Sequence, residues 1–228
     1  MDKALLLKIN REWTNAFLDQ VMVAFSSLSV WMPLFVVIVL AVAIRGRFKA
    51  RAFLVVLALT IAVNDGLVAR TLKYTVNRPR PHQTETGLSI RSISKEKIPQ
   101  LAIFDPIRVK ESKATTKEVE GRSFPSAHTM NTFAAATATW LFFRSAWWLL
   151  YLPATLVSYS RVYTASHWPS DILPSIVMGI ALGLLVPVTL NRIWRKFGNH
   201  IAPTWHTKFP SLLPIPNSKL PRESESEA

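Results

Sequence analysis

Long apolar runs alternate with short polar segments along this chain. The clearest run, residues 21–44, contains no charged residue, and further apolar runs cover 123–143, 145–160 and 172–191. A bilayer core about 30 Å thick is crossed by roughly 20 apolar residues of helix. The runs are apolar on all sides and lack the polar face of a helix at the surface of a soluble protein. They therefore predict membrane-spanning helices.

A shorter apolar run begins at residue 52, and its helical pattern continues to about Tyr74. Taken together, the runs predict an all-α fold, a polytopic membrane helix bundle. The expected spans are about 21–44, 52–76, 126–143, 146–162 and 170–191. They form one membrane domain over residues 21–191, interrupted by a polar connection at 77–124.

The two ends of the chain differ from this core. Residues 1–20 mix leucine and isoleucine with lysine and arginine, a pattern typical of a helix that lies in the membrane interface. Residues 192–228 are rich in proline and end in Glu-Ser-Glu-Ser-Glu-Ala, so we expect a largely disordered tail.

The charges predict an orientation. With five alternating spans, the basic turn at 45–51 and the tail after residue 191 lie on one side of the membrane, and the positive-inside rule makes that side cytoplasmic. The 77–124 connection is then extracytoplasmic. Its own lysines and arginines argue the other way, but acidic residues are interspersed among them.

The net charge of +13 comes from 27 basic and 14 acidic residues. Cytoplasmic loops and contacts with anionic lipid explain this charge, and no interleaving of aromatic and basic residues indicates a nucleic-acid partner. The chain has no cysteine, which excludes disulfides and thiolate metal sites. The oligomeric state is left open.

Three polar motifs lie at the ends of the predicted helices. They read Lys73-x4-Arg78-Pro-Arg80-Pro, Pro125-Ser126-Ala127-His128 and Arg161-x5-His167-x3-Asp171. The first ends the second span, the second begins the third span, and the last joins the fourth to the fifth. All three therefore fall on one side of the membrane, where a single ligand can contact them together.

The basic residues of these motifs suit a phosphate. Arginine binds phosphate oxygens through two parallel hydrogen bonds, and lysine supplies a point charge. Lys73, Arg80 and Arg161 are the candidates, while Arg78 is either a fourth ligand or structural. The alternative is that such residues extend to lipid headgroups, which is common for an isolated cation at a helix end.

The second motif predicts a helix N-terminus, with Pro125 in the first helical position and free backbone amides that attract an anion. Ser126 can add a hydroxyl donor, and His128 can protonate a leaving oxygen. A histidine at this position is more often a cap or a surface residue, so the role depends on its neighbours.

His167 and Asp171 are four residues apart, close enough to meet in a helical turn. A carboxylate that accepts from one imidazole nitrogen leaves the other free to attack phosphorus. The alternative is a polar pair that caps the fifth span. A metal site from the histidines with Asp171 and Asp105 is less favoured, since no short-range ligand spacing is present and the arginines repel a cation.

The motifs closely resemble the three-part signature of the type-2 phosphatidic acid phosphatase superfamily, K-x6-R-P, P-S-G-H and S-R-x5-H-x3-D. Order, spacing and position relative to the helices agree from about residue 50 to 190. The one internal departure is Ala127, which stands where the family usually has glycine. The resemblance implies a six-helix core, shared with the vanadium haloperoxidases, so residues 1–20 would supply a helix and the bundle would contain five to six.

The resemblance also implies residue roles without a metal or other cofactor. His167 would be the nucleophile, His128 the general acid and Asp171 the orienting partner of His167. The residues that would bind phosphate are Lys73, Arg80, Arg161, Ser126 and the backbone amide of Ala127.

Members of similar size suggest a multi-pass protein of the bacterial inner membrane that acts on a lipid phosphate. We expect undecaprenyl diphosphate as substrate, with phosphatidylglycerophosphate, phosphatidic acid and lipid A phosphates as alternatives. A protein that binds or transports lipid phosphates without hydrolysing them is the alternative from another class. The 77–124 connection is expected to help define the substrate.

Overall fold

The computed structural model describes residues 1–94, 98–115, 121–144 and 147–214, and these residues are mostly helical. The helices are α1 Asp2–Leu7, α2 Ala16–Ser26, α3 Leu28–Arg45, α4 Phe48–Ala62, α5 Arg70–Val76, α6 Pro81–Thr84, α7 Pro99–Ala102, α8 Ala127–Phe143, α9 Trp147–Tyr163, α10 Pro169–Ile201 and α11 Pro203–Lys208. Two π-helical segments, Lys8–Glu12 and Val63–Ala69, and the strands β1 Ser89–Ser92 and β2 Arg108–Glu111 complete the described elements.

In the described part of the chain, three helical stretches are long and apolar enough to cross a membrane: Leu28–Arg45, Phe48–Thr84 and Pro169–Ile201. The other two predicted spans correspond to α8 and α9, which are 17 residues each and do not meet this criterion of length and apolar composition. The helical architecture predicted from the apolar runs is therefore confirmed.

The first predicted span begins at the wrong residue. Residues 21–26 belong to α2, and the chain takes an extended conformation at Ser27 before α3 starts at Leu28. The hydroxyls of Ser26 and Ser27 offer the backbone alternatives to helical hydrogen bonds, and the Ser26 carbonyl accepts a hydrogen bond from Arg161 instead. This break brings the end of α2 to the site described below.

Helices α8 and α10 pack closely along a row of small residues. Ser175, Gly179, Gly183 and Pro187 recur every four residues on the buried side of α10. A methyl group on Gly179 would lie 2.6 Å from the Met130 carbonyl oxygen of α8. Small residues at this spacing let helix backbones approach in a membrane. The packing fixes the start of α10, which carries Asp171, against the start of α8, which carries His128.

The second predicted span is one helical rod with an irregular centre. Between α4 and α5, the π-helical segment Val63–Ala69 interrupts the α-helical hydrogen bonding. The Asn64 side chain donates to Asn131 Oδ1 of α8 at 3.1 Å, and Asn131 Nδ2 donates to Asp65 Oδ2 at 3.0 Å. These bonds hold the π-helical segment against α8.

The 77–124 connection contains a small antiparallel sheet that the all-α prediction missed. Ser89 pairs with Glu111 and Ser92 with Arg108. Four-residue strands within a mostly polar segment carry too short an alternation to predict.

One buried side chain anchors this hairpin. Asn10 is fully buried, accepts from the Ser89 backbone N–H at 2.8 Å, and donates to the Ser89 and Tyr163 carbonyls at 2.9 and 2.7 Å. Because Ser89 lies in β1 and Tyr163 ends α9, Asn10 joins the N-terminal segment, the hairpin and the bundle.

Both chain ends differ from their predictions. The single helix expected over residues 1–20 is instead α1, a π-helical segment and the first turn of α2, with Leu6 and Ile9 buried against Tyr163 and Leu88. Its relation to a membrane stays a prediction. The tail prediction is wrong for residues 192–214, because α10 continues to Ile201 and α11 follows. Residues 215–228 lie outside the described part.

Candidate active site

His167 lies in the short link between α9 and α10 and is almost completely buried. Its Nδ1 is 2.5 Å from the backbone carbonyl oxygen of Ser123, which can only accept a hydrogen bond. Nδ1 therefore carries the proton, and Nε2 keeps a free lone pair. This is the tautomer that a nucleophilic histidine requires.

Asp171, in the first turn of α10, supports this arrangement mainly through Ser123. Its Oδ2 is 3.8 Å from His167 Nδ1, too far for a good hydrogen bond. The same oxygen accepts from Ser123 Oγ at 2.5 Å and from the Trp168 backbone N–H at 3.0 Å. The other carboxylate oxygen accepts from Arg78 Nη1 at 2.6 Å. Asp171 is thus a fixed negative charge beside the imidazole.

Arg78 connects the carboxylate of Asp171 to the N-terminal segment. Its Nη2 is 2.7 Å from Asp2 Oδ2, and its guanidinium lies 5.3 Å from the Trp168 ring. Asp2 also accepts hydrogen bonds from the backbone N–H and the hydroxyl of Ser170. Of the two roles that the sequence left open for Arg78, these contacts support the structural one.

Burial lowers the pKa of His167 to about 4, and the nearby Arg161 and Arg80 guanidinium groups act in the same direction, against the opposing effect of Asp171. Losing water disfavours a charged imidazole, and so do neighbouring positive charges. His167 is therefore neutral at physiological pH, as an attacking group must be.

The cations of the first and third motifs meet around the two histidines. Lys73, Arg80 and Arg161 all lie within electrostatic range of His128, and Arg80 and Arg161 also lie within range of His167. His128 and His167 are in range of each other. The structure therefore brings together all three predicted cations and both predicted catalytic histidines.

Arg161 is held at the break between α2 and α3. Its Nη1 donates to the carbonyl oxygen and to Oγ of Ser26, at 3.0 and 2.6 Å. Its Nε is buried and has no hydrogen-bond partner within the described residues. A buried donor that lacks a partner is costly, and an anion bound beside it would remove that cost.

The second motif is arranged differently from the prediction. Helix α8 begins at Ala127 with Ser126 as its N-cap, so Pro125 lies outside the helix. The Ser126 backbone N–H donates to Ser175 Oγ at 2.9 Å, and Ser126 Oγ accepts from Thr129 at 3.0 Å. Ser126 is fully buried. Its hydroxyl proton remains available to an anion, but its backbone amide does not.

Sequence reasoning missed Ser123, Ser26 and Asp2. Each accepts a hydrogen bond from a residue far away in the sequence. The Ser123 carbonyl oxygen accepts from His167, Ser26 Oγ accepts from Arg161, and the Asp2 carboxylate accepts from Arg78. A serine or aspartate in such a position carries no distinctive spacing, so no signal in the sequence pointed to them.

A sequence model of the PAP2 superfamily matches residues 49–195. The chain belongs to the PAP2 superfamily. This confirms the superfamily predicted from the three motifs, and the matched segment contains every predicted site residue.

Known PAP2 relatives agree with this membership. A lipid A 4'-phosphatase from Bacteroides thetaiotaomicron is 27% identical over 72% of this chain and 66% of its own length. The undecaprenyl-diphosphatase BcrC from Bacillus subtilis is 36% identical over 28% of this chain and 33% of its own length. The chain thus spans less than two thirds of these curated relatives. The crystal structure of Aquifex aeolicus LpxE has the same fold, with a TM-score of 0.52 and 24% identity over 81% of this chain and 93% of that one.

Two cavities flank the PAP2 motifs. One, of about 550 Å³, lies beside Arg161 and His82 and has a wall rich in hydroxyls: Ser26, Ser27, Ser29, Ser92, Ser94, Thr164 and Ser166. The other, of about 460 Å³, is lined by residues of the π-helical segment, α5 and the start of α8, including Lys73 and Ala127. Predicted phosphate-binding residues therefore lie in the wall of each cavity.

Proposed function

We propose that this PAP2 protein is a lipid phosphatase that hydrolyses a phosphate ester through a phosphohistidine intermediate. The observation that carries the proposal is the state of His167: neutral, with Nδ1–H bonded to a carbonyl, and surrounded by cations. Such a group can attack phosphorus while the cations stabilise the charge that develops on the phosphate oxygens.

In the first step, the His167 Nε2 lone pair forms a bond to phosphorus as the bond to the leaving oxygen breaks. His128, protonated once the phosphate dianion is bound beside it, gives its proton to that oxygen and becomes neutral. Lys73, Arg80, Arg161 and the Ser126 hydroxyl hold the three remaining oxygens, with the Ala127 amide as a further donor. In the second step, a water loses a proton to His128 and attacks phosphorus, which releases inorganic phosphate and restores neutral His167.

Asp171 and Ser123 act on the positive charge that His167 gains when phosphorus bonds to Nε2. The Ser123 carbonyl accepts the Nδ1 proton throughout, and the carboxylate 3.8 Å away stabilises the imidazolium. Asp171 therefore contributes charge more than orientation in this proposal.

For the substrate, we propose a phosphate monoester on a lipid A-type saccharolipid. The longest of the reported curated matches is to a lipid A 4'-phosphatase, and the cavity beside Arg161 offers a hydroxyl-rich wall to a sugar headgroup. Undecaprenyl diphosphate, the first expectation from the sequence, is the second candidate, supported by shorter matches to undecaprenyl-diphosphatases. In either case the site faces the extracytoplasmic side, as the basic turn at 45–51 favours.

A panel of phosphate-release assays tests the proposal. Purified protein in detergent is given a saccharolipid monophosphate, undecaprenyl diphosphate, phosphatidic acid and phosphatidylglycerophosphate, each with a chelator present. We expect release from the saccharolipid to be fastest and His167→Ala to abolish it. Full activity of His167→Ala contradicts the mechanism, and binding without release from any lipid indicates a non-catalytic binding protein.

A further inference from the structure

The short helix α7 in the 77–124 connection has an exposed apolar face. Ile98, Leu101 and Phe104 are 63, 60 and 81% exposed. The Leu101 backbone N–H donates to the Ile98 carbonyl, and the Phe104 N–H donates to the Leu101 carbonyl. Residues three apart in such a turn lie on the same side of the helix. The three side chains therefore form one surface, which we name the α7 apolar face.

The other residues of α7 contact the protein. Ala102 is buried, and Pro99 lies in the wall of the cavity beside Arg161. The helix therefore has one side against the protein and one apolar side that the described residues leave largely uncovered. Single exposed apolar residues are common on protein surfaces, but a contiguous apolar patch generally marks an interaction site.

A side chain of α7 fixes this helix to the start of α3. Pro33 has no backbone N–H, so the Ser29 carbonyl lacks the donor that an α-helix normally supplies four residues later. Gln100 Nε2 donates to the Ser29 carbonyl at 2.6 Å and to the Val30 carbonyl at 3.2 Å. The position of α7 is therefore tied to the first turn of α3.

Helix α3 indicates what surrounds the α7 apolar face. It is apolar enough to cross a membrane, and none of its residues is buried, so its sides are available to lipid tails. Its 18 residues extend over about 27 Å, close to the thickness of a bilayer core. The first turn of α3 therefore lies near a membrane surface, and α7 lies there with it.

We propose that α7 is a membrane anchor whose apolar face inserts between the lipid headgroups and the acyl chains of the adjacent leaflet. Its partner is the lipid bilayer, and the apolar surface of α3 continues directly into this contact. Pro99 and Ser29 both line the cavity beside Arg161. The anchor therefore holds one wall of that cavity at the membrane surface. This inference does not depend on hydrolysis.

Two other environments are possible for the α7 apolar face, and each has a different signature. Water would reach the face if the connection stood clear of the membrane. Protein would exclude both water and lipid if a second copy of this chain, or another part of the same chain, covered the face. Oxygen concentrates in lipid tails, whereas a polar nickel chelate stays in water, so collisions with these two reagents distinguish the three environments.

The chain has no cysteine, so single-cysteine variants carry one spin label each. Ile98→Cys, Leu101→Cys and Phe104→Cys are labelled with a nitroxide and reconstituted in phosphatidylethanolamine–phosphatidylglycerol liposomes. Electron paramagnetic resonance then measures the collision rates with oxygen and with the nickel chelate. Val37→Cys in the middle of α3 is the reference for lipid tails, and Lys110→Cys on the exposed strand β2 is the reference for water.

We expect all three α7 labels to collide several-fold more with oxygen, relative to the chelate, than the Lys110→Cys label does. Their ratio should lie between the two references, because the face inserts only to the headgroup boundary. The substituted side chains are exposed, so the labels should leave the fold intact.

Ratios equal to that of Lys110→Cys at all three positions would overturn the anchor, because the face would then be in water. Low collision rates with both reagents would also overturn it, because protein would then cover the face. In that case, narrowing of the spectrum on dilution with unlabelled protein would identify a second copy as the cover. The proposed function is judged separately, by phosphate release from the unsubstituted protein.

Discussion

Replacing Asp171 by asparagine separates two roles that a carboxylate next to a catalytic histidine can have. In the proposed first step, His167 changes from neutral to positively charged while Asp171 Oδ2 stays 3.8 Å from Nδ1. Two unit charges about 4 Å apart attract by about 4 kcal/mol at an effective dielectric constant of 20. Asparagine keeps the shape and removes this attraction, which corresponds to a loss of about 10³-fold in the rate of the chemical step.

The tautomer should survive the same substitution. The proton on His167 Nδ1 is held by the Ser123 carbonyl oxygen, which Asp171→Asn leaves in place. Ser123→Ala also leaves the carbonyl and removes only the hydroxyl that donates to Asp171. We expect that variant to lose roughly tenfold in rate, the effect of one hydrogen bond of about 1.5 kcal/mol between a hydroxyl and a carboxylate.

The assay is single-turnover phosphate release from the preferred lipid monophosphate, with vanadate or phosphate binding as the control for an intact site. The expected order of rates is the unsubstituted protein, Ser123→Ala and then Asp171→Asn, with anion binding nearly unchanged. Asp171→Asn with more than a tenth of the normal rate would refute the electrostatic role. A greater loss in Ser123→Ala than in Asp171→Asn would show that Ser123 does more than position the carboxylate.

Three further predictions concern pH and packing. NMR titration of His167 in detergent should give a pKa near 4. Because the unfolded chain binds that proton near pH 6.5, the free energy of unfolding should fall as the pH drops from 6.5 towards 4. A titration near 6.5 contradicts the burial argument. Gly179→Ala should lower the melting temperature by several degrees, because its methyl group would lie 2.6 Å from the Met130 carbonyl; an unchanged melting temperature refutes the close approach. Asp2→Asn weakens the ion pair with Arg78 and should slow phosphate release a few-fold without changing the affinity for phosphate; a loss of affinity instead would place Arg78 in the phosphate site.

The sequence predicted the parts of this protein that depend on local pattern. Apolar runs gave the helical architecture, and motif spacing brought His128, His167 and the three cations to one end of the bundle, where the structure has them. The start of α10 at Pro169 also agrees with the fifth span, which was expected from about residue 170. Helix ends that are set by tertiary contacts were harder to predict from the sequence. An example is the break at Ser27, where Arg161 donates a hydrogen bond to the Ser26 carbonyl oxygen.

The remaining features depend on contacts between residues far apart in the sequence. No local pattern indicates that Ser123 bonds to His167, 44 residues away. The π-helical segment at Val63–Ala69 could not be predicted from the sequence either, because one extra residue in a helical turn leaves the apolar composition unchanged. The β-hairpin was missed because its two strands are short and separated by α7.

The anchoring of the hairpin by Asn10 has a practical consequence for exchanging specificity between relatives. The hairpin strand β1 contributes Ser92 to the cavity beside Arg161, yet its position is fixed by a side chain 79 residues earlier in the chain. A chimera that transplants residues 77–124 alone would separate the hairpin from its anchor. We therefore expect that substrate preference can be exchanged between relatives only when the N-terminal helices and the connection are transplanted together, and not when the connection is transplanted alone.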